Sequence, residues 1–296
     1  MGKLAFGWYW NCLVDYTKLI EKIEVYKQKY DVKIIGESLF KRKIFAVEKV
    51  VDPSLSTAIL VASCHAREHI TTDLVCKFLD DGLFDEICEF NVSVVLMENP
   101  DGVELCCHGL KSAPLSERDN LIDLNQGSFD FSMWKSNGRG VDINNNFDAR
   151  FGTNVHSLSP APSGYAGKFA ESEPESKCVA DYIKKKNAFL VLCYHSKGEE
   201  LYYNFFQTEQ RLERDKIIAE RFAESTGYLI KNPEEKSSGG LKDYCVARLK
   251  IPSITMEIGS DSLSHPIQSS ALESIFERHK NIANDLKFAY NVFIKF

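Results

Sequence analysis

The sequence predicts one α/β domain over residues 1–296, built on a mixed sheet with helices on both faces. Three observations predict it. Short apolar, β-branched runs (Ala58-Ile59-Leu60-Val61-Ala62, Asn91 to Met97, Ala188 to Tyr194, Ser253 to Ile258) read as buried strands. Longer stretches with apolar residues at helical spacing lie between them. The chain has 296 residues, enough for one large core, and shows no repeat, low-complexity tract or linker that would divide it.

In order, Asp15 to Tyr30 carries Tyr16, Leu19, Ile20, Ile23 and Tyr26 at helical spacing and predicts an amphipathic helix. Lys33 to Ser38 and Lys43 to Val50 read as strands. Ala58 to Ser63 is a buried strand, followed by Cys64-His65-Ala66-Arg67-Glu68-His69 and a helix over Ile70 to Leu83. Asn91 to Met97 reads as a strand ending in the turn Glu98-Asn99-Pro100-Asp101-Gly102. Residues 110–170 are rich in Gly, Ser, Asn and Pro with little periodicity. Their polar run Asp142 to Asp148 points to a functional loop region. Ser172-Glu173-Pro174-Glu175 predicts a capping box, with Ser172 as cap and Glu175 reaching back to it. His195-Ser196 sits at the exit of the strand over Ala188 to Tyr194. Glu209 to Ser225 reads as a helix and Ser237-Ser238-Gly239-Gly240 as a loop. Ser253 to Ile258 is a strand bearing Glu257, and a helix from about Ser269 to Ala289 closes the chain.

Apolar residues make up 44% and charged residues 26% of the chain, an ordinary globular balance. The net charge of −6 supplies no basic footprint for nucleic acid and no polybasic membrane patch. No run approaches the ~20 apolar residues of a spanning helix. The apolar patch over Leu4 to Trp10 lacks the cleavage site of an export signal. Nine cysteines, several inside apolar runs, read as reduced buried thiols. These features lead to the expectation of a cytoplasmic protein. Cys106-Cys107 is a vicinal pair without a second pair at zinc-finger spacing, so spacing predicts no structural zinc site.

The chemistry concentrates at strand exits, where α/β proteins place their sites. His65 and Glu68 follow one strand and His195 ends another, a donor set suited to one zinc ion with a position left for water. A second pattern overlaps it. His65-Ala66-Arg67-Glu68-His69 reads H-x-x-E-H, which would make His65 and His69 ligands on one helix and Glu68 the base. That pattern needs a continuous helix, whereas His65 abuts a strand, so the His65, Glu68, His195 set ranks first. Glu257, inside an apolar strand, would be costly there without a functional reason.

The chain resembles the zinc carboxypeptidase family. The resemblance rests on His65-x-x-Glu68, Asn99-Pro100-Asp101-Gly102, Gly140-Val141-Asp142-Ile143-Asn144-x-Asn146-Phe147, Ser172-Glu173-Pro174-Glu175, His195-Ser196 and Ile251-Pro252-Ser253-Ile254-Thr255-Met256-Glu257, in that order. It implies a twisted mixed sheet of about eight strands, one Zn2+ held by His65, Glu68 and His195, and Glu257 as general base and acid. It also implies a cation for the tetrahedral intermediate, with Lys135 and Arg139 as the two candidates, and a peptide substrate met by Asn144, Asn145, Ser196 and Gly240. One departure stands out. Where family carboxypeptidases carry an arginine for the substrate's terminal carboxylate, this chain has Asn145, and an amide makes no charged bidentate pair.

Lys242 and Asp243 follow Ser237-Ser238-Gly239-Gly240-Leu241 in the loop that shapes the family's specificity pocket. A lysine there suits a carboxylate-bearing side chain. Asp243 would take an ammonium group or pair with Lys242. Together with Tyr194 to Tyr202, this run resembles the branch that cuts γ-D-glutamyl-diaminopimelate bonds in cell-wall peptides. The resemblance therefore implies a muropeptide hydrolase. The alternatives are a general zinc carboxypeptidase, a metal-dependent amidase or deacylase, and a peptide-binding relative without activity. Oligomeric state is not read from the sequence.

Overall fold

The computed structural model describes residues 12–153, 155–231 and 239–296. The amino-terminal patch over Leu4 to Trp10, and Ser237-Ser238 of the predicted loop, lie outside them. Among the described residues eight strands form one sheet: β1 (Asp31–Glu37), β2 (Lys43–Lys49), β3 (Thr57–Val61), β4 (Asn91–Val95), β5 (Ala188–His195), β6 (Glu200–Tyr202), β7 (Leu229–Ile230) and β8 (Ser253–Glu257). Their spatial order is β1-β2-β4-β3-β5-β8-β6-β7. The centre is parallel, with β3 pairing β4 and β5, and β5 pairing β8; β2 and β6 run antiparallel at its flanks. The sheet is mixed, as the sequence predicts.

Alternation along each central strand sorts side chains to two faces. Ala58 and Leu60 of β3, with Leu190, Leu192 and Tyr194 of β5, join one core. That core also takes apolar residues of α1 (Tyr16–Tyr26), α2 (Ile70–Asp80), α6 (Glu209–Thr226), α8 (Leu272–His279) and α9 (Ile282–Phe293). Ile59, Val61, Val191 and Cys193 face the other core. There they meet Val179, Ala180 and Ile183 of α5 (Pro174–Lys185) and Leu241 and Tyr244 of the short α7 (Leu241–Tyr244). Leu19, Ile23 and Tyr26, spaced four and three apart, form the buried stripe of α1, and the Asp15 carboxylate caps it by accepting from the Lys18 N–H at 2.9 Å.

Some elements differ from expectation. α3 (Pro100–His108) begins inside the predicted turn: Asn99 caps it by accepting from the Gly102 N–H at 3.0 Å. α4 (Arg118–Leu124) lies within the aperiodic region. The capping box is absent. α5 starts at Pro174, and Glu175 turns inward to accept from the Leu39 N–H at 3.1 Å. The closing helix is two helices, broken between His279 and Ile282. Among the described residues no helix is long and apolar enough to cross a membrane.

Candidate metal centre

β3 is buried throughout, and the chain leaves it through Ser63, whose φ of 52° turns the backbone sharply. Two hydroxyls fix that corner. Thr71 Oγ1 accepts from the Ser63 N–H at 2.8 Å and donates to the Glu68 carbonyl at 2.8 Å, while Thr72 donates to the Leu96 carbonyl at 2.6 Å. His65 then sits in extended backbone, and a single 3-10 turn over Ala66–Glu68 folds Glu68 back toward it. The H-x-x-E-H reading required His65 to be helical, and it is not.

Register brings in the second histidine. Val61 pairs with Cys193, so His195 stands two residues beyond, level with the exit of β3. His65 Nδ1 lies 2.9 Å from Glu68 Oε1, and His195 Nδ1 lies 3.1 Å from both Glu68 Oε2 and His65 Nδ1. Glu68 Oε2 also accepts from the Ser196 N–H at 3.1 Å. All three side chains are buried. His69 is not in this group; its ring lies with Cys12 and Cys107.

Two imidazole nitrogens and a carboxylate thus converge with more lone pairs than protons. A cation among them resolves that excess, and the His, His, carboxylate set is one zinc accepts. The far side of His65 supports this. Its Nε2 lies 3.2 Å from Asp142 Oδ1, which sets a carboxylate behind the ring while Nδ1 faces Glu68 and His195. Asp142 is buried and is held by the Gly164 N–H at 3.1 Å and the Lys135 ammonium at 3.0 Å.

The electrostatics follow from these contacts. Burial works against charge on both His65 and Glu68. Mutual attraction overcomes it, raising the imidazole above its ordinary range and holding the carboxyl well below its own. Asp142 behaves likewise: burial opposes its ionisation, but Lys135 and His65 keep it ionised far below the usual carboxylate range. Glu257 is the contrary case. It pairs in register with His195 across β5 and β8, and burial pushes its carboxyl up to about 7.

The remaining expected residues divide. Lys135 is at the centre through Asp142, and its charge acts on Glu68 and Glu257. Arg139 is engaged with another partner: its Nε donates to Glu173 at 2.7 Å on a half-exposed surface. Asn144 Oδ1 accepts from the Leu241 N–H at 3.1 Å, which ties the 142–146 loop to α7. Gly239, at φ 74°, lies so close to Asn145 that a Cβ there would stand 2.4 Å from the Asn145 carbonyl oxygen. Gly240 follows it and lies beside Asn144 and Asp243. Lys242 does not present a free cation. It is buried, bonded to the Asn204 carbonyl at 2.9 Å, paired with Asp243 and set over the Phe205 ring.

Two neighbours escaped the sequence reading. Asp142 stood in a polar run without a role, although its spacing from Lys135 in one loop was visible. His265 faces the charges of Glu68 and Arg67, and burial pushes it down to about 4; an isolated histidine before a proline carries no sequence signal.

Comparison with known proteins decides the family. The profile described as zinc carboxypeptidase matches residues 16–280. The chain belongs to the zinc carboxypeptidase family. Among its relatives, the γ-D-glutamyl-L-diamino acid endopeptidase 1 of Lysinibacillus sphaericus is 30% identical over 236 residues, covering 73% of this chain and 57% of that protein. Human carboxypeptidase A1 is 38% identical over 195 residues, 62% of this chain and 43% of that protein. The chain therefore spans about half the length of these relatives. Among solved structures, bovine thrombin-activatable fibrinolysis inhibitor in complex with tick carboxypeptidase inhibitor superposes with a TM-score of 0.76 at 18% identity, covering 96% of this chain and 98% of that one. The zinc carboxypeptidase fold is thus shared well beyond sequence similarity, and the family's single zinc ion fits the His65, Glu68, His195 donor set.

Proposed function

We propose that this chain is a zinc metallopeptidase that hydrolyses the amide between a γ-D-glutamyl group and a diamino acid, diaminopimelate above all, in cell-wall-derived peptides. The carrying observation is the meeting of His65, Glu68 and His195 at the ends of β3 and β5, with Glu257 in register beside His195. Zinc held there supplies Lewis-acid polarisation of the scissile carbonyl and activates water for attack. Glu257, its carboxyl lifted towards neutrality, takes the proton from the attacking water and returns it to the leaving amine. Lys135, neutralised by Asp142 before substrate arrives, adds positive potential where the oxyanion forms. Asp142 fixes the His65 ring.

Substrate choice is supported by two features and one relative. Asn145 lacks the charge to hold a terminal carboxylate. The far end of diaminopimelate carries an amine and a carboxylate, and Lys242 and Asp243 offer the complementary pair. Docking would exchange partners and leave no buried charge alone. The Lysinibacillus relative's name specifies a γ-D-glutamyl-L-diamino acid bond. The test is incubation with L-Ala-γ-D-Glu-diaminopimelate and, in parallel, with an ordinary peptide. Release of diaminopimelate that stops with chelator and returns with zinc supports the reading. Release only of C-terminal residues from the ordinary peptide replaces it with a general carboxypeptidase. No hydrolysis of either, with zinc bound, points to a binding protein.

A further inference from the structure

Behind the catalytic turn lies a second convergence of donors. Cys12, just before α1, Cys107, near the end of α3, and His69, the residue after Glu68, place one ligand atom each within 4.8 Å of one another. All three are buried, His69 at 1% exposure. Neither ring nitrogen of His69 finds a well-formed hydrogen bond, although the Cys12 thiol lies close enough to interact with it. An imidazole buried without partners costs free energy unless something absent from the polypeptide binds it.

The backbone holds these donors in place. Asp73 of α2 accepts from the Val14 N–H at 2.9 Å, fixing the segment after Cys12 against the helix that His69 begins. His108, next to Cys107, meets the Asp15 carboxylate at 3.1 Å. The cluster of Asp15, Glu104 and His108 beside it is internally paired, with Glu104 accepting from the Tyr16 N–H at 2.9 Å, and so acts as a brace. Three elements far apart in sequence are thereby pinned around the Cys12, His69, Cys107 point before any ligand arrives.

We infer that Cys12, His69 and Cys107 form a second metal site, taking a thiophilic divalent cation, Zn2+ in the first instance. Two thiolates and a neutral imidazole balance the ion's double charge, so the occupied site is neutral, as burial demands. Sulfur donors separate it chemically from the His65, Glu68, His195 centre, which has none. Its ion clamps the segment leading into α1 to the helix origin that carries Glu68, and so acts as a positioning device for a ligand of the first centre. The spacing reading dismissed Cys106-Cys107 because it sought a second pair along the chain. The partners come instead from Cys12 and from His69.

The test is metal content of the intact chain purified under reducing conditions. The wild type should carry two zinc ions per chain, Cys107→Ser one, and His65→Ala one. Cobalt replacement supplies a readout that needs no variant: thiolate-to-cobalt charge-transfer absorption in the near ultraviolet, absent from Cys107→Ser. One zinc per chain, unchanged by Cys107→Ser and with no sulfur band in the cobalt protein, overturns the second site and leaves the catalytic proposal intact. Protection of Cys12 and Cys107 from thiol titration by a mutual disulfide in the reduced preparation overturns it equally. Loss of all zinc from the wild type overturns the catalytic proposal as well.

Discussion

Asp142 offers the sharpest test of how the metal centre is held. Its carboxylate serves two partners at once, His65 Nε2 at 3.2 Å and Lys135 Nζ at 3.0 Å, while a third contact anchors it to the Gly164 N–H. Asp142→Asn keeps the volume and removes the charge. An amide oxygen can face the imidazole or the ammonium, but not both. Losing the group that orients a ligating histidine costs about 10–100-fold in metal affinity, or ~1.4–2.7 kcal/mol. Lys135 retains 23% of its side-chain exposure, so its unpaired ammonium can reach water. The stability cost is then below the ~3–5 kcal/mol of a fully buried broken pair, about 1–2 kcal/mol. Zinc affinity is measured by competition with a chromophoric chelator, and stability by urea unfolding of the zinc-free protein. Zinc affinity within twofold of wild type, in a variant that folds, refutes the claim that Asp142 orients His65.

Glu257→Gln should bind zinc normally and lose at least ~10²-fold in kcat, the usual yield of a general base; full turnover in that variant removes Glu257 from the mechanism. The acid limb of kcat/KM should lie at or below pH 7, with activity falling as pH falls, because only the carboxylate accepts a proton from water; a limb unmoved by Glu257→Asp would assign it to another group. Lys242→Met should raise KM for the diaminopimelate peptide at least ~10-fold and leave an ordinary peptide unaffected; equal losses on both peptides indicate a structural role only. Glu98 is buried, has no well-formed hydrogen bond on either oxygen, and burial, against a weaker contact with the Cys64 thiol, pushes its carboxyl up from 4.5 to about 8. An acid raised on folding is destabilising above its unfolded pKa, so stability should fall between pH 5 and pH 8, by at most ~1.4 kcal/mol per pH unit. Glu98→Gln should flatten that decline in urea titrations, and an unchanged slope refutes the assignment.

The long periodic segments were legible: α1, α2, α6 and the four central strands stand close to where hydrophobic spacing puts them. The meeting of His65, Glu68 and His195 was legible too, because these residues occupy strand exits, which can be found from the strands alone. The failures have local causes. An Asn side chain capping a helix makes the same bond as one closing a turn, so Asn99 disguised the start of α3. Glu175 was drawn from its helix terminus by Leu39, more than a hundred residues away. β6 and β7, of three and two residues, are too short to show a period. The described residues of the region 110–170 pack without apolar periodicity because buried amides organise them. Asn146 alone donates to the Ala166 carbonyl and accepts from the Glu173 N–H and the Ser176 hydroxyl. Lys242 and Asp243 show the remaining limit: adjacent charges in sequence leave open whether they meet a ligand or each other, and here they meet each other.

Charge balance ties the two halves of the site together. Around Glu257 the buried charges pull in opposite directions, His195 and Lys135 towards the carboxylate and Glu68 towards the protonated acid. Burial, with the Glu68 charge added to it, outweighs His195 and Lys135 and lifts the Glu257 carboxyl. A divalent ion on the same three ligands adds two positive charges next to the strand that bears Glu257. The ionised carboxylate is then the favoured form. On the proposed role of Glu257 as base, zinc occupancy therefore shifts it towards the form that accepts a proton. The consequence is measurable, since the Glu257 carboxyl must titrate at lower pH in the zinc form than in the chelated form, and equal values in the two forms would break the link.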